Sequence, residues 1–358
     1  MSTIAQGNHF TQRAWVVRGQ LLFWYRDLIS CLQSTFATVL RHAGQDPLEV
    51  LGAHWEFRFT PGKVHAEEFD YPCRFSGDLG RSLAPYHPVS SRWHRPAEAE
   101  APLAGLIAAA QRQQLTIAAV DNFHLPFRPA FHDVHAAHLV VVYGVDEHRG
   151  LIYVCDSMPP QFRGPIPIAD FLNAWGSTNQ RTEQDEVFSG TGIDRRWLSV
   201  ELGEAFPEFD AAFLRRALAA DRQLWGMRAP QHGGPECDDW TGAPGLWQFL
   251  DTLLECSRGG DGAVLAQAYP FGWGPQAQAS LHGELLRRWG SQHRAPVVAE
   301  AGARVEAVAH AWTGLRMTAA HGRHTPTAVV ADLERHARIL RNCYEAAVET
   351  LYEAEVTL

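Results

Sequence analysis

HLVVVYGVDEHRGLIYVCD (138–156) decides the architecture of this chain. Its two runs, HLVVVYG (138–144) and GLIYVCD (150–156), are rich in Val, Leu, Ile and Tyr, which suit a pleated and buried surface. VDEHR (145–149) between them is a polar loop, so the stretch predicts an antiparallel hairpin. Pairing Gly144 with Gly150 at the closed end sets His138 directly across from Asp156 at the open end. Directly opposed residues hold their Cβ atoms about 4.5–5.5 Å apart, close enough for a carboxylate to orient an imidazole. A slip of one residue would send the two side chains to opposite faces.

Working outward from the hairpin, SCLQSTFATVLRHAG (30–44) places Leu32, Phe36, Leu40 and Ala43 at steps of three and four, the period of a helix over 31–43. Ser30 is positioned to cap it. Cys31 falls in the first turn, on the Ser34/Thr35/Thr38 side rather than in the apolar stripe. The positive end of the helix dipole there favours thiolate over thiol. That setting alone does not make the residue reactive, because a lone cysteine is by default a small buried hydrophobe.

AHWEFRF (53–59) alternates as a strand, residues 61–98 read as mostly irregular, APLAGLIAAAQRQQ (101–114) as a helix and LTIAAV (115–120) as a buried strand. MPPQFRGPIPI (158–168), with its four prolines, reads as a linker or a wrapped loop. Beyond it the pattern turns helical, at 209–225, 245–257 and from about 326 to 354. In the last of these, Val329, Leu333, Ala337, Leu340, Tyr344, Ala347 and Leu351 form a stripe that reads as core. RGGDGA (258–263) is a turn, lacking the strand and the Lys-Ser/Thr of a phosphate loop. The fold class expected is α+β, with a catalytic domain over 1–160 and a mainly helical C-terminal domain over 161–358.

The 358 residues are 46% hydrophobic and 20% charged, an ordinary globular composition. A formal charge of −9 argues against broad nucleic-acid binding. MSTIAQGNHF (1–10) has no secretory character, and AWVVRGQLLFWY (14–25) is short and broken by Arg18, so no membrane segment and a cytoplasmic setting are expected. The six cysteines contain no C-x-x-C pair, which fits free thiols rather than structural zinc or a disulfide framework. No dinucleotide fingerprint and no nucleophile elbow occur.

Cys31, His138 and Asp156 together supply a thiol nucleophile, a base and an orienting acid, the logic of a catalytic triad with sulfur as nucleophile. HDVHAAH (132–138) spaces three histidines by three residues, but it leads into a strand and lacks an H-E-x-x-H motif, so no metal site is expected. His132 and His135 read instead as loop residues near the site, Arg128 as a contact for an anionic substrate group, and Asp121 and His124 as further wall residues.

A helix opening on Cys31, then VDNFHLPFRPAFHDVHAAHLVVVYGVD (120–146) leading to YVCD (153–156), resembles the papain-like fold of bacteriocin-processing cysteine peptidases. It is more closely similar to the N-terminal domain of the butirosin-biosynthesis acyltransferase family, with LPFRP (125–129) the most distinctive part. That family also carries a helical C-terminal domain of comparable size. The resemblance implies acyl transfer from the phosphopantetheine arm of an acyl or peptidyl carrier protein to a small amine acceptor, with no bound cofactor. Cys31 would take the acyl group as a thioester, His138 would activate first thiol and then amine, and Asp156 would orient His138. Amide formation from a thioester is downhill, which suits a chain without a nucleotide motif.

Papain-like enzymes place a glutamine shortly before the cysteine to hold the oxyanion, and Gln20 is the nearby upstream candidate, although eleven residues is a long interval. The backbone N–H of Cys31 is the alternative donor. Ser157 stands where relatives commonly have proline after the acid. A hydrophobic acceptor pocket would keep water from the acyl-enzyme. Trp240, Trp247 and FGWG (271–274) could line it or simply pack in the core. A cysteine hydrolase with the same triad, and a non-catalytic papain-like binding protein, are the alternatives.

Overall fold

In the computed structural model, which describes residues 14–62, 75, 77–96, 101–181, 188–226 and 240–358, the two runs of the 138–156 stretch are adjacent antiparallel strands. Cys73 and Cys237 lie outside the described residues. In chain order the first half contains β1 (Ala14–Val16), α1 (Cys31–His42), α2 (Pro47–Leu51), β2 (Arg58–Phe59), α3 (Leu79–Leu83), β3 (Val89–His94), α4 (Ala104–Gln111), β4 (Thr116–Asp121), β5 (Ala137–Asp146) and β6 (Leu151–Asp156). There follow β7 (Phe162–Pro167), α5 (Ile168–Trp175), β8 (Trp197–Leu202), α6 (Ala211–Gly226), β9 (Trp240–Thr241), α7 (Gly242–Arg258), α8 (Gly262–Phe271), α9 (Trp273–Gln292), α10 (Pro296–Gly322) and α11 (Val330–Thr357). The protein is thus α+β, with a mainly helical C-terminal region.

The sheet runs β3-β8-β4-β5-β6-β7, antiparallel throughout, with β1 pairing the end of β5 beyond β4. Gly144 permits that last pairing: a Cβ there would stand 2.9 Å from the Trp15 carbonyl oxygen. The hairpin register departs from the sequence expectation. Gly144 faces Tyr153 rather than Gly150, because β5 continues to Asp146. Asp146 closes the turn by accepting from Arg149 N at 3.0 Å, and Gly150 takes φ +65°, so of the expected closing pair Gly150 serves the turn while Gly144 lies inside the ladder. A bulge between Val142 and Gly144 then shifts the ladder by one, giving Val142↔Val154 and Val141↔Cys155. Continued to the open end, this register sets Asp156 across from Val140, with His138 its diagonal neighbour two residues along. The offset from the expected pairing is three residues at the turn, and the bulge reduces it to two. An even offset keeps His138 and Asp156 on one face.

The sheet also extends past residue 160, where the sequence places the change of character. Residues 162–167, expected within a linker or wrapped loop, form β7, and Trp197–Leu202 form β8 between β3 and β4. β7 lies at an edge, the one position where Pro165 and Pro167 leave no ladder hydrogen bond missing in the sheet interior. AHWEFRF yields only the short β2, and the region 61–98 contains α3 and β3.

Helix α1 packs on β5 and is buried from Cys31 to Leu40, including the side outside the apolar stripe. Its hydroxyls satisfy that burial. Ser34 Oγ donates to Trp24 O (3.3 Å), and Thr38 Oγ1 meets Ser157 Oγ (3.2 Å), which also accepts from Trp24 N (3.2 Å). In the C-terminal region α10 packs against α9, α8 and α11. The α11 stripe from Leu333 to Leu351 is buried as expected, and RGGDGA forms the turn into α8, capped by Asp261. No helix among the described residues is long and apolar enough to cross a membrane.

Trp55, Phe57 and Phe59 leave the sheet region and enter the helical core, where Trp55 lies parallel to Tyr344 at 5.3 Å and Phe57 stacks on Trp312. Beside them sits a buried polar cluster. Asp221 accepts from Trp55 N (2.9 Å) and Tyr86 Oη (2.6 Å), and pairs with His54 Nδ1 (3.1 Å), while Glu56 Oε1 is 3.5 Å from His54 Nε2. Burial pulls the His54 pKa down, but Glu56 and Asp221 outweigh it and hold it at about 9. A folded pKa above the unfolded value of about 6.5 gives stability that is complete below pH 6.5 and lost as pH rises through about 9. Urea unfolding should therefore show a loss on the order of 3 kcal/mol between pH 6 and pH 10 from this group, flattened in His54→Gln.

Candidate active site

Cys31 is the first residue of α1 and 2% exposed. Ser30 is the N-cap, extended at φ −92° and ψ 173°, and its Oγ accepts from Leu32 N (3.2 Å). Gln33 completes a capping box, its Oε1 accepting from Ser30 N (3.2 Å) and from Ser30 Oγ–H (2.6 Å). No acidic residue occupies the first turn, so nothing in it offsets the positive end of the dipole.

His138 is the second residue of β5, against which α1 packs, and its Nε2 lies 2.8 Å from Asp156 Oδ2. The ring is 5% exposed and the acid 1%. An ionised carboxylate only accepts, so Nε2 carries the proton and Nδ1 is the basic nitrogen. Three further contacts hold Asp156 in place. Its Oδ1 accepts from Met158 N (2.9 Å), its Oδ2 accepts from Arg128 Nη1 (3.1 Å), and the next residue, Ser157, is tied to Thr38 of α1 and to Trp24. Ser157 thus links the loop of the acid to the helix that carries Cys31.

Arg128, expected to meet an anionic substrate group, instead clamps the acid and its loop. Besides Asp156, the same Nη1 reaches the carbonyl oxygens of Met158 (3.4 Å) and Pro159 (3.3 Å). This gives LPFRP a structural sense: the turn aims a guanidinium at Asp156.

His132 and His135 are not drawn to His138. His135 Nδ1 bonds Asp121 Oδ2 (2.6 Å) and its ring stacks on Phe123 at 4.2 Å, while His132 stacks on Phe131 at 3.9 Å. Asp121 pairs across the ladder with Ala137, so by strand alternation it faces away from His138, which pairs with Val120. Its carboxylate also accepts from Phe123 N (3.0 Å), Ala136 N (3.1 Å) and Ser177 Oγ (2.6 Å), which makes it a tie for the loops on that face. Gln20 is not placed to serve Cys31 either. It is exposed, and its neighbour Gly19 packs 3.0 Å (ideal Cβ) from His42 at the far end of α1, about 16 Å along the helix from Cys31. The residue overlooked is Gln33, although the S-x-x-Q spacing of a capping box was readable in SCLQ (30–33).

Cys155, next to Asp156, is a contrasting thiol. Burial first, and then Asp156, push its pKa up to about 12, leaving it unreactive at neutral pH. Burial likewise raises Cys256 and Cys343. Phe271 packs in the helical core, with Trp247 against it, while Trp273 stacks on the Arg316 guanidinium at 3.8 Å.

An antiparallel sheet with a buried His–Asp pair, packed against a helix that opens on cysteine, makes up the candidate site. Residues 30–157, which contain all three of those side chains, match the family model described as butirosin biosynthesis protein H, N-terminal, and this segment belongs to that family. No curated protein matches the chain.

Proposed function

We propose that the protein is a cysteine acyltransferase of natural-product biosynthesis, built on a papain-like arrangement, with Cys31, His138 and Asp156 as its triad. The observation that carries this reading is the 2.8 Å His138–Asp156 pair, which leaves Nδ1 as the basic nitrogen on the strand that α1 packs against. Nδ1 takes the Cys31 proton, and the thiolate attacks the thioester carbonyl of an acyl group on the phosphopantetheine arm of a carrier protein. The donor thiol leaves with that proton, and Cys31 retains the acyl group. An amine acceptor then loses its proton to Nδ1 as it attacks, and the amide departs as Cys31 recovers its thiol. The burial of Cys31, His138 and Asp156 supports transfer over hydrolysis, since an acyl-enzyme survives to meet an amine only where water is kept out.

Intact-protein mass spectrometry after exposure to a panel of acyl N-acetylcysteamine thioesters tests the reading. A mass increase equal to the acyl group, mapped to the peptide carrying Cys31 and discharged by added amine as an amide, is the expected result. Release as free acid in the presence of amine would make the protein a hydrolase. A panel that leaves Cys31 unmodified would overturn the catalytic reading.

A further inference from the structure

The first turn of α1 contains a buried donor that the fold does not use. Gln33 is 1% exposed, and its Oε1 is engaged twice by Ser30. A backbone N–H can only donate, so the atom facing Ser30 N is the amide oxygen and Nε2 is turned the other way. Nε2 is buried and has no hydrogen-bond partner among the described residues. Leaving an amide donor in that state is unfavourable, because the water it gave up on burial is not replaced. Capping does not require it, because a glutamate at the same position completes the box equally well. The side chain is anchored to the N-cap, so its donor belongs to the positive end of the helix, where Cys31 is the first helical residue.

We infer that Gln33 Nε2 donates to the acyl carbonyl oxygen as Cys31 attacks, acting as the side-chain half of an oxyanion hole. The inference rests on the acyl-enzyme reading above. In the step it serves, the sulfur electron pair forms the S–C bond and the carbonyl π pair moves onto oxygen, where the N–H stabilises it. When that pair returns, the carbon–sulfur bond to the donor breaks and the donor thiolate leaves with the proton carried by His138. The buried amide then finds in the substrate the acceptor that the described residues do not supply.

Two substitutions separate this role from capping. Gln33→Glu keeps an acceptor toward Ser30 and preserves the capping box while removing the donor. Gln33→Met removes the amide without adding charge. The measurement is the rate of Cys31 acylation by an acyl N-acetylcysteamine thioester, divided by its rate of alkylation by iodoacetamide. Alkylation consumes the same thiolate but forms no oxyanion. In both variants the ratio should fall by about 10²–10³, with the urea midpoint of Gln33→Glu at or above that of the wild type. An unchanged ratio in both variants would overturn the role of Gln33 and leave the acyl-enzyme intact. A wild-type Cys31 that no thioester acylates would overturn both.

Discussion

Replacing Asp156 by asparagine should slow acylation of Cys31 by about 10⁴, the scale seen when a triad acid loses its charge but not its shape. Two carboxylate oxygens serve three donors here: Met158 N on Oδ1, and Arg128 Nη1 with His138 Nε2 on Oδ2. An asparagine has one acceptor oxygen to offer. With that oxygen toward Met158, the NH₂ group faces the donors of Arg128 and His138, and the ring can answer only by moving its proton to Nδ1. It then cannot accept a proton from Cys31. With the oxygen toward His138, the NH₂ group meets the Met158 N–H and opens the turn. Either rotamer fails, for a different reason. Single-turnover mass spectrometry measures the rate, and Cys31→Ala, which should form no adduct, provides the floor. Acylation of Asp156→Asn at the wild-type rate would reduce the acid to a structural tie.

Trp55→Ala should have the largest effect on stability, about 3–5 kcal/mol. The side chain is fully buried, at 4.5 Å from Trp225, 5.3 Å from Tyr344 and 6.1 Å from His282. It comes from the chain between α2 and β2 yet packs among the terminal helices, so its removal opens a cavity where the sheet region and the helical region meet. Trp225 Nε1 donates to the backbone oxygen of Trp55, a contact that survives the substitution and holds the cavity open. Urea unfolding is the measurement, with Tyr352→Ala as the surface control. Tyr352 is 54% exposed, and its loss should change stability by less than about 0.5 kcal/mol. A Trp55→Ala midpoint equal to that of the control would show that the segment is held without this ring.

Much of the candidate site is legible in sequence because its parts are local. The helix over 31–43, its Ser30 cap and the strands at 115–120, 138–144 and 150–156 follow from periodicity and β-branched runs, and they occur within a few residues of where they are expected. The α11 stripe is legible for the same reason: one face of a helix must be buried, and steps of three and four name it. What neighbours along the chain do not decide is which polar residues meet. HDVHAAH places His135 and His138 three residues apart, but Asp121 takes one and Asp156 the other, on opposite faces of the sheet. Arg128 reads in sequence as a contact for an anionic substrate group, and in space it bonds Asp156. Gln20 lies beside the far end of α1, whereas Gln33 is carried by α1 itself at the Cys31 end.

The pattern of apolar residues by itself determined which segments are helix or strand and which thiol heads a capped helix, since those depend on neighbours within a turn or a pleat. Only the tertiary structure decided the pairing of the hairpin, the addition of β7 and β8 to the sheet, and the entry of Trp55–Phe59 into the helical core. The His138–Asp156 contact shows why. Its existence depends on a one-residue bulge that converts an odd offset into an even one, and a bulge is set by the strands on either side, β1 and β4 as much as β6. Side-chain periodicity reports which face a residue prefers, but the register that brings two residues together belongs to the whole sheet.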